Sequence, residues 1–161
     1  MVQPLKIKKN DLFELWYFLK HNVHPDFYLT ENQKRVFITE YKIFRKILRQ
    51  SHSILVSENK GRVEGVIMLW KAVGGDKKRT YVKINAISEN VANKLLTVLL
   101  WDCNNVIYIK IKKYSPYLNL FKEKNFFFAG GRGRELLLCY KKRIYDKKQK
   151  SFSHRYKDDK K

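Results

Sequence analysis

The sequence predicts one mixed α/β domain whose sheet is mostly antiparallel and contains a single parallel pair. Three observations carry that expectation. Short strand-like runs recur at Ser53 to Ser57, Val63 to Trp70, Thr80 to Ile87 and Asn105 to Ile111. Amphipathic helical stretches lie between some of them. One such stretch joins Thr80–Ile87 to Asn105–Ile111, and a helical crossover places the strands it joins in parallel. The chain has 161 residues, 44% of them hydrophobic. That suits one domain with its own core and is too apolar for a disordered chain.

Each element has a local reason. Leu5 to Lys8 alternates apolar and basic, as a short edge strand does. Asn10 or Asp11 caps a helix over Leu12, Phe13, Leu15, Trp16 and Leu19, and His21 to Leu29, with Pro25, reads as a loop. Thr30-Glu31-Asn32-Gln33 has the form of a capping box and predicts a second helix to about Gln50. Phe37, Tyr41, Phe44 and Leu48 form its apolar stripe, and Lys34, Arg35, Lys42, Arg45, Lys46 and Arg49 cover much of the rest. The turn Asn59-Lys60-Gly61-Arg62 makes a hairpin of the next two strands. Ala72 to Arg79 is a Gly-containing basic loop. Ser88 caps a helix carrying Leu95, Leu96, Leu99 and Leu100. In the strand that follows, Ile107, Ile109 and Ile111 share one face and Tyr108, Lys110 and Lys112 the other. Pro116 starts a short helix to about Lys124. Phe126 to Ala129 and Glu135 to Lys141 form a last hairpin across Gly130-Gly131-Arg132-Gly133-Arg134. The expected order is β-α-α-β-β-β-α-β-α-β-β, over residues 1–145, with a mobile basic tail at 146–161.

Lys and Arg number 35 and Asp and Glu 15, a formal net charge of +20. Such an excess strains a compact state and points to an acidic partner, of which nucleic acid is the commonest. An AT-rich coding sequence would enrich lysine but would not also deplete acids. The basic groups expected to meet nucleic acid are Lys77, Lys78 and Arg79 in the loop, Lys110 and Lys112 on the strand face, and Arg132 and Arg134 at the hairpin tip. Residues 141–161 add ten basic and three acidic residues, a composition that gains from counterion release on phosphates. Interleaved Tyr and Phe would allow base stacking. Each cluster reads equally as a hydrated face, and no zinc finger, RNP motif or clear helix-turn-helix is present.

Cys103 and Cys139 are the only cysteines, lie in apolar surroundings and lack metal spacing, so both read as buried thiols in a reducing compartment. No apolar leader and no stretch of about 20 apolar residues is present. The expectation is a cytoplasmic protein, in the host cytoplasm if viral, with no membrane association. His21, His24 and His52 have no ligand spacing, so neither a metal nor a catalytic triad is assigned.

The segment Ser115-Pro116-Tyr117-Leu118-Asn119-Leu120-Phe121-Lys122-Glu123-Lys124-Asn125-Phe126 resembles the late motif N-S-P-A-L-N-L-Y-E-K-L-G-F of the GNAT N-acyltransferases. With the element order, the resemblance covers about residues 5–143. It implies a GNAT-like mixed sheet with helices on both faces, and acetyl-CoA or another acyl-CoA as cofactor. The family's pyrophosphate signature, Q/R-x-x-G-x-G/A, corresponds to Ile87-Ser88-Glu89-Asn90-Val91-Ala92, before Asn93. Ala92 fits, Asn90 replaces the middle Gly, and Ile87 replaces the Gln or Arg. A left-handed Asn90 would keep a backbone nest for the anion; an ordinary cap by Ser88 explains the same residues.

The resemblance also implies catalytic groups, and the chain departs from it there. Phe121 stands where many members carry a Tyr general acid. Tyr114 and Tyr117 are the nearby hydroxyls, with packing or rim contact as their simpler role. The strand that often supplies a Glu base reads Tyr81-Val82-Lys83-Ile84-Asn85-Ala86. Glu64 is the nearest alternative, against a plain solvated strand position. Two functions stay open. One is N-acylation of an amine on, or held by, nucleic acid, as some phage-encoded members of the fold act on nucleobases. The other is a GNAT-shaped scaffold that has lost catalysis and binds nucleic acid or a ribonucleoprotein. Acylation of a small soluble amine is a third option. Oligomeric state and base preference are not legible.

Overall fold

The computed structural model describes residues 1–4, 9–24, 26–31, 34–49, 53–71, 79–101, 103–104 and 106–142. Its elements are β1 (Val2–Pro4), α1 (Lys9–His21), β2 (Leu29–Glu31), β3 (Lys34–Val36), α2 (Tyr41–Leu48), β4 (Ser53–Asn59), β5 (Arg62–Lys71), β6 (Arg79–Ala86), α3 (Glu89–Trp101), β7 (Val106–Lys112), α4 (Leu118–Glu123), β8 (Phe127–Arg132) and β9 (Glu135–Tyr140). The main sheet has seven strands in the order β1-β4-β5-β6-β7-β9-β8. Every pairing in it is antiparallel except β6 with β7, the pair joined through α3. The expected parallel crossover is present.

Helices cover both faces. On one, α3 and α4 pack Val91, Ala92, Leu95, Leu96, Leu120 and Phe121 onto Ile67, Val82, Ile84, Ile107, Ile109 and Ile111. On the other, α1 and α2 pack Leu15, Phe18, Leu19, Phe44 and Ile47 onto Val56, Val66 and Met68. The β7 isoleucines are buried as their alternation demands. Gly65 on β5 lies under α3: a Cβ there would sit 2.7 Å from Val91 Cγ1 and 2.9 Å from Leu95 Cδ1. Its missing side chain is what lets α3 lie this close to the sheet.

Two sequence-based expectations fail. The capping box at Thr30 opens no helix; Leu29–Glu31 and Lys34–Val36 pair as a two-stranded antiparallel sheet. Val36, Ile38 and Thr39 are β-branched and poor helix formers. Trp16 Nε1 donates to Ile38 O at 2.8 Å, which ties the segment after β3 to α1. Phe37, assigned to the apolar stripe, is 68% exposed. The helix begins only at Tyr41, with extended Glu40 before it and no side-chain cap bond. The first strand is Val2–Pro4, antiparallel to β4; the strand expected at Leu5 to Lys8 lies outside the described residues, as do most of the 72–79 loop and the tail.

Several local signals hold. Lys60 and Gly61 both have positive φ, 49° and 76°, as a two-residue hairpin turn of this hand requires. The last hairpin turns more tightly than expected, at Gly133, with Gly130 and Gly131 inside β8. After α4, Asn125 stands where the resembling motif has Gly and takes a left-handed φ of 65°. Phe126 N then donates to Phe121 O and Asn125 N to Lys122 O, both at 3.0 Å, the paired bonds of a Schellman terminus. Cys139 is buried and Cys103 half-buried, and neither is in a disulfide. No helix among the described residues is long and apolar enough to cross a membrane.

Candidate functional site

The parallel pair parts before it ends. β6 and β7 are in register from Arg79/Val106 to Val82/Ile109, and no further. Lys83 to Ala86 run on beside β5, and Lys110 to Lys112 beside β9. A gap opens between them, next to the N-terminus of α3. Ala86 O and Lys112 N both turn into this gap, because each bonds a side chain from outside the ladder. Ile84 has the parity of Ala86, so its N–H and C=O face the same gap.

A bridge of side chains spans the parting. The Tyr117 hydroxyl donates to Ala86 O at 2.8 Å. Its ring stacks on His24, 4.7 Å between centroids with parallel planes. Asp26 N donates to His24 Nδ1 at 3.1 Å, and Lys112 N donates to Asp26 Oδ1 at 2.6 Å. Because Nδ1 accepts, the neutral imidazole carries its proton on Nε2. Burial holds the His24 pKa below its usual 6.5, against the opposing pull of the Asp26 carboxylate. His24 Nε2 and Asp26 Oδ2 are buried without a hydrogen-bond partner among the described residues. Burial also pushes the Tyr117 pKa up, and the Asp26 carboxylate acts in the same direction.

Beside the bridge is a cleft of about 160 Å³, lined among others by Leu19, His24, Phe27, Arg35, Phe37 and Asn85. Asn85 Nδ2 donates to Asn22 O at 2.6 Å and so fixes the loop after α1 against β6. His24 thus belongs to both the cleft and the gap.

The expected anion cradle has a different form. Asn90 lies in the first turn of α3 and is not left-handed: among the described residues, only Lys60 and Asn125 are non-glycines with positive φ. No nest forms, because the helix starts too soon for one. Ile87 N is engaged by Glu64 O at 2.9 Å, and Ser88 is an N-cap whose Oγ accepts from Val91 N at 3.3 Å. Val91 and Ala92 turn into the core, while Asn90 and Asn93 are exposed.

Of the candidate catalytic groups, Tyr117 stands in the gap. Tyr114 is 65% exposed, and Glu64 Oε1 accepts from Ser57 Oγ at 3.0 Å. Phe121, at the position of the missing Tyr, is fully buried against Phe126. His24 and Asp26 were missed because nothing local distinguishes them; a stack and a bond across 86 residues create their environment.

Strand parity gathers some of the basic residues. Arg79, Lys110 and Lys112 leave the sheet on the α1 side with Tyr81, Lys83 and Tyr108. The Arg79 guanidinium lies 5.5 Å from the Tyr108 ring. Lys112 Nζ is paired with Glu135 at 3.1 Å, which raises its pKa. Arg132 and Arg134 are exposed at the β8–β9 turn, apart from this set in the chain. Lys77 and Lys78 lie outside the described residues.

No protein-family model matches the sequence, and no curated protein is similar enough to count as a relative. Solved structures are similar over nearly the whole described chain. Ribosomal-protein-alanine N-acetyltransferase from Brucella melitensis superposes with a TM-score of 0.66 at 15% identity, covering 86% of this chain and 97% of that one. An acetyltransferase of the GNAT family from Streptococcus pneumoniae gives 0.62 at 12% identity, covering 86% and 98%. The Campylobacter jejuni N-acetyltransferase PseH, solved in complex with acetyl coenzyme A, gives 0.59 at 13% identity, covering 89% and 100%. At these identities the likeness is one of architecture: the chain has the fold of the GNAT N-acetyltransferases.

Proposed function

We propose that the protein is an N-acyltransferase that takes its acyl group from acetyl-CoA or a related acyl-CoA. The parting of β6 from β7 beyond Val82 and Ile109 carries this reading. It leaves the N–H and C=O of Ile84 and the N–H of Ala86 on an open strand edge, which suits the amides of an extended arm. The first turn of α3 adds main-chain N–H groups beside that edge, suited to a phosphate. Glu89 in the same turn opposes an anion, so the strand edge is the stronger part of the fit. The bound cofactor would supply an activated thioester carbonyl. The chain would supply Tyr117 and His24 as hydroxyl and N–H donors near the gap, and Glu64 or Asp26 as the carboxylate for the amine proton. The basic face of Arg79, Lys110 and Lys112 supports an acceptor amine carried or held by nucleic acid.

A specific observation favours a second reading, a scaffold without catalysis. The Tyr117–His24–Asp26 bridge occupies the gap, and Phe121 has no hydroxyl to give. Calorimetry with acetyl-CoA separates the two, with ATP at matched ionic strength as the control for plain charge attraction. Asn90→Glu, at an exposed position of the first turn of α3, provides a second control. Saturable binding absent for ATP and weakened in the variant is the expected result. Binding no stronger than that of ATP would leave the scaffold reading.

A further inference from the structure

Arg35, on the β2–β3 hairpin, lies over two rings: its Cζ is 5.6 Å from the centroid of Tyr28 and 5.5 Å from that of Phe37. The rings hold the guanidinium by its charge and leave its N–H donors without an acceptor among the described residues. Lys83 Nζ lies over the same Tyr28 ring, at 4.2 Å. The two cations are thus within about 10 Å of each other, one Debye length at about 0.1 M salt. Lys20, over the Trp16 ring at 4.9 Å, is a third. None of the three is ion-paired among the described residues. Arg35 and Lys20 line the cleft of about 160 Å³, and no Asp or Glu is among its lining residues. Both cations are exposed and so stand at its mouth, while Leu19, Phe27 and Leu29 are buried and form an apolar floor. A cavity of about 150 Å³ takes one benzene ring. A ring-held, unpaired guanidinium beside an apolar cleft of that size suits an aromatic body with an anionic group, because the fork meets a carboxylate or phosphate with two parallel bonds.

We propose that this cleft is the acceptor pocket and takes a one-ring aromatic amine that carries an anionic group. Its role as acceptor pocket rests on the proposed function; the binding of ring and anion does not. The cations at the mouth disfavour an alkyl ammonium by like-charge repulsion. Asp26, the carboxylate of the bridge, is buried and is not a lining residue. An aromatic amine is uncharged at neutral pH, because its lone pair is shared with the ring, and needs no base before it attacks. That agrees with β6, which carries no carboxylate from Tyr81 to Ala86. His24 and Asn85 line the cleft and adjoin the gap, His24 by its stack on Tyr117 and Asn85 as the chain neighbour of Ala86. An acceptor held there lies next to the thioester site. The amine nitrogen attacks the thioester carbonyl, an N–C bond forms, the C–S bond breaks, and the surplus amine proton leaves with the thiolate. Two sources carry this chemistry, a free aminoaryl carboxylate and the aminopyrimidine of a nucleotide.

The test uses the full chain without acyl-CoA, and ligand-observed NMR titrations give the Kd of each probe. Para-aminobenzoate should bind about tenfold tighter than para-aminobenzamide, which keeps the ring and the amine but has no charge. It should also bind tighter than para-(aminomethyl)benzoate, whose amine is an ammonium. Arg35→Gln should erase the preference for the acid and leave the amide unchanged. Arg35→Lys keeps the charge, loses the fork and should retain only part of the preference. Urea midpoints equal to that of the parent establish that these exposed substitutions leave the fold intact. Equal affinity for acid and amide, equal affinity for aryl amine and ammonium, or a preference that survives Arg35→Gln overturns the proposal. Cytidine monophosphate in parallel assigns the source: Arg35-dependent binding tighter than that of para-aminobenzoate points to a nucleotide, weaker binding to a free acid. If para-aminobenzoate binds through Arg35 while calorimetry detects no specific acetyl-CoA binding, the anion pocket stands and acyl transfer falls. If acetyl-CoA binds and no probe depends on Arg35, the acyl-CoA function stands and the pocket falls.

Discussion

Replacing Tyr117 with Phe removes one oxygen from the bridge and keeps the ring that stacks on His24. The lost bond is 2.8 Å long and buried at both ends, with Tyr117 and Ala86 at 4% and 9% exposure. A neutral hydrogen bond is worth about 1 kcal/mol net, and a buried carbonyl left without its donor adds part of its desolvation penalty. The expected loss is therefore about 1–3 kcal/mol. For a chain of this size that lowers Tm by roughly 2–4 °C per kcal/mol. Urea unfolding should show a lower midpoint with an unchanged slope, the sign that only the native state has lost something. Tyr117→Leu, which also removes the stack, should cost more. A Phe variant within about 0.3 kcal/mol of the parent would refute the reasoning: the Ala86 carbonyl would then reach water and the gap would be open.

Three further outcomes follow from the geometry. His24 is held neutral in the folded chain below its ordinary 6.5, so between the two pKa values the unfolded chain binds more protons. The stability tied to the neutral ring is whole above about pH 6.5 and drains as pH falls beneath it; stability-against-pH curves should be shallower there for His24→Gln, and equal slopes would contradict the burial of the ring. Gly65→Ala drives a Cβ to within 3 Å of Val91 and Leu95 and should cost about 1–3 kcal/mol by forcing α3 off the sheet, measured by denaturant unfolding; a neutral substitution would mean that α3 is loosely seated. Arg79→Ala and Lys110→Ala should each lower the salt slope of binding to random-sequence duplex DNA by about 1, and an unchanged slope would move nucleic acid off this face.

The sequence by itself determined much of the architecture, because its signals there are local. The alternation of Ile107, Ile109 and Ile111, the Ser88 cap and the Lys60-Gly61 turn each act over a few residues. The crossover rule then places β6 beside β7 without further information. The late motif holds for the same reason, with Asn125 taking the left-handed position by its own short side chain.

Where the same local logic met a tertiary contact, it lost. Thr30 to Gln33 has the letters of a capping box, yet β-branched residues and the Trp16 bond to Ile38 draw the chain after it into a hairpin and an extended segment. Asn90 was free to be left-handed in isolation, but Ile87 is held by β5 and the helix starts at once. The site itself depends on tertiary structure. His24 and Asp26 look like loop residues until Tyr117 and Lys112 close on them from a distant part of the chain. Lys83 looks like one lysine among many until Tyr28, Trp70 and Lys110 surround it. Secondary structure follows from neighbours along the chain, whereas burial, and the chemistry that burial tunes, follows from neighbours in space.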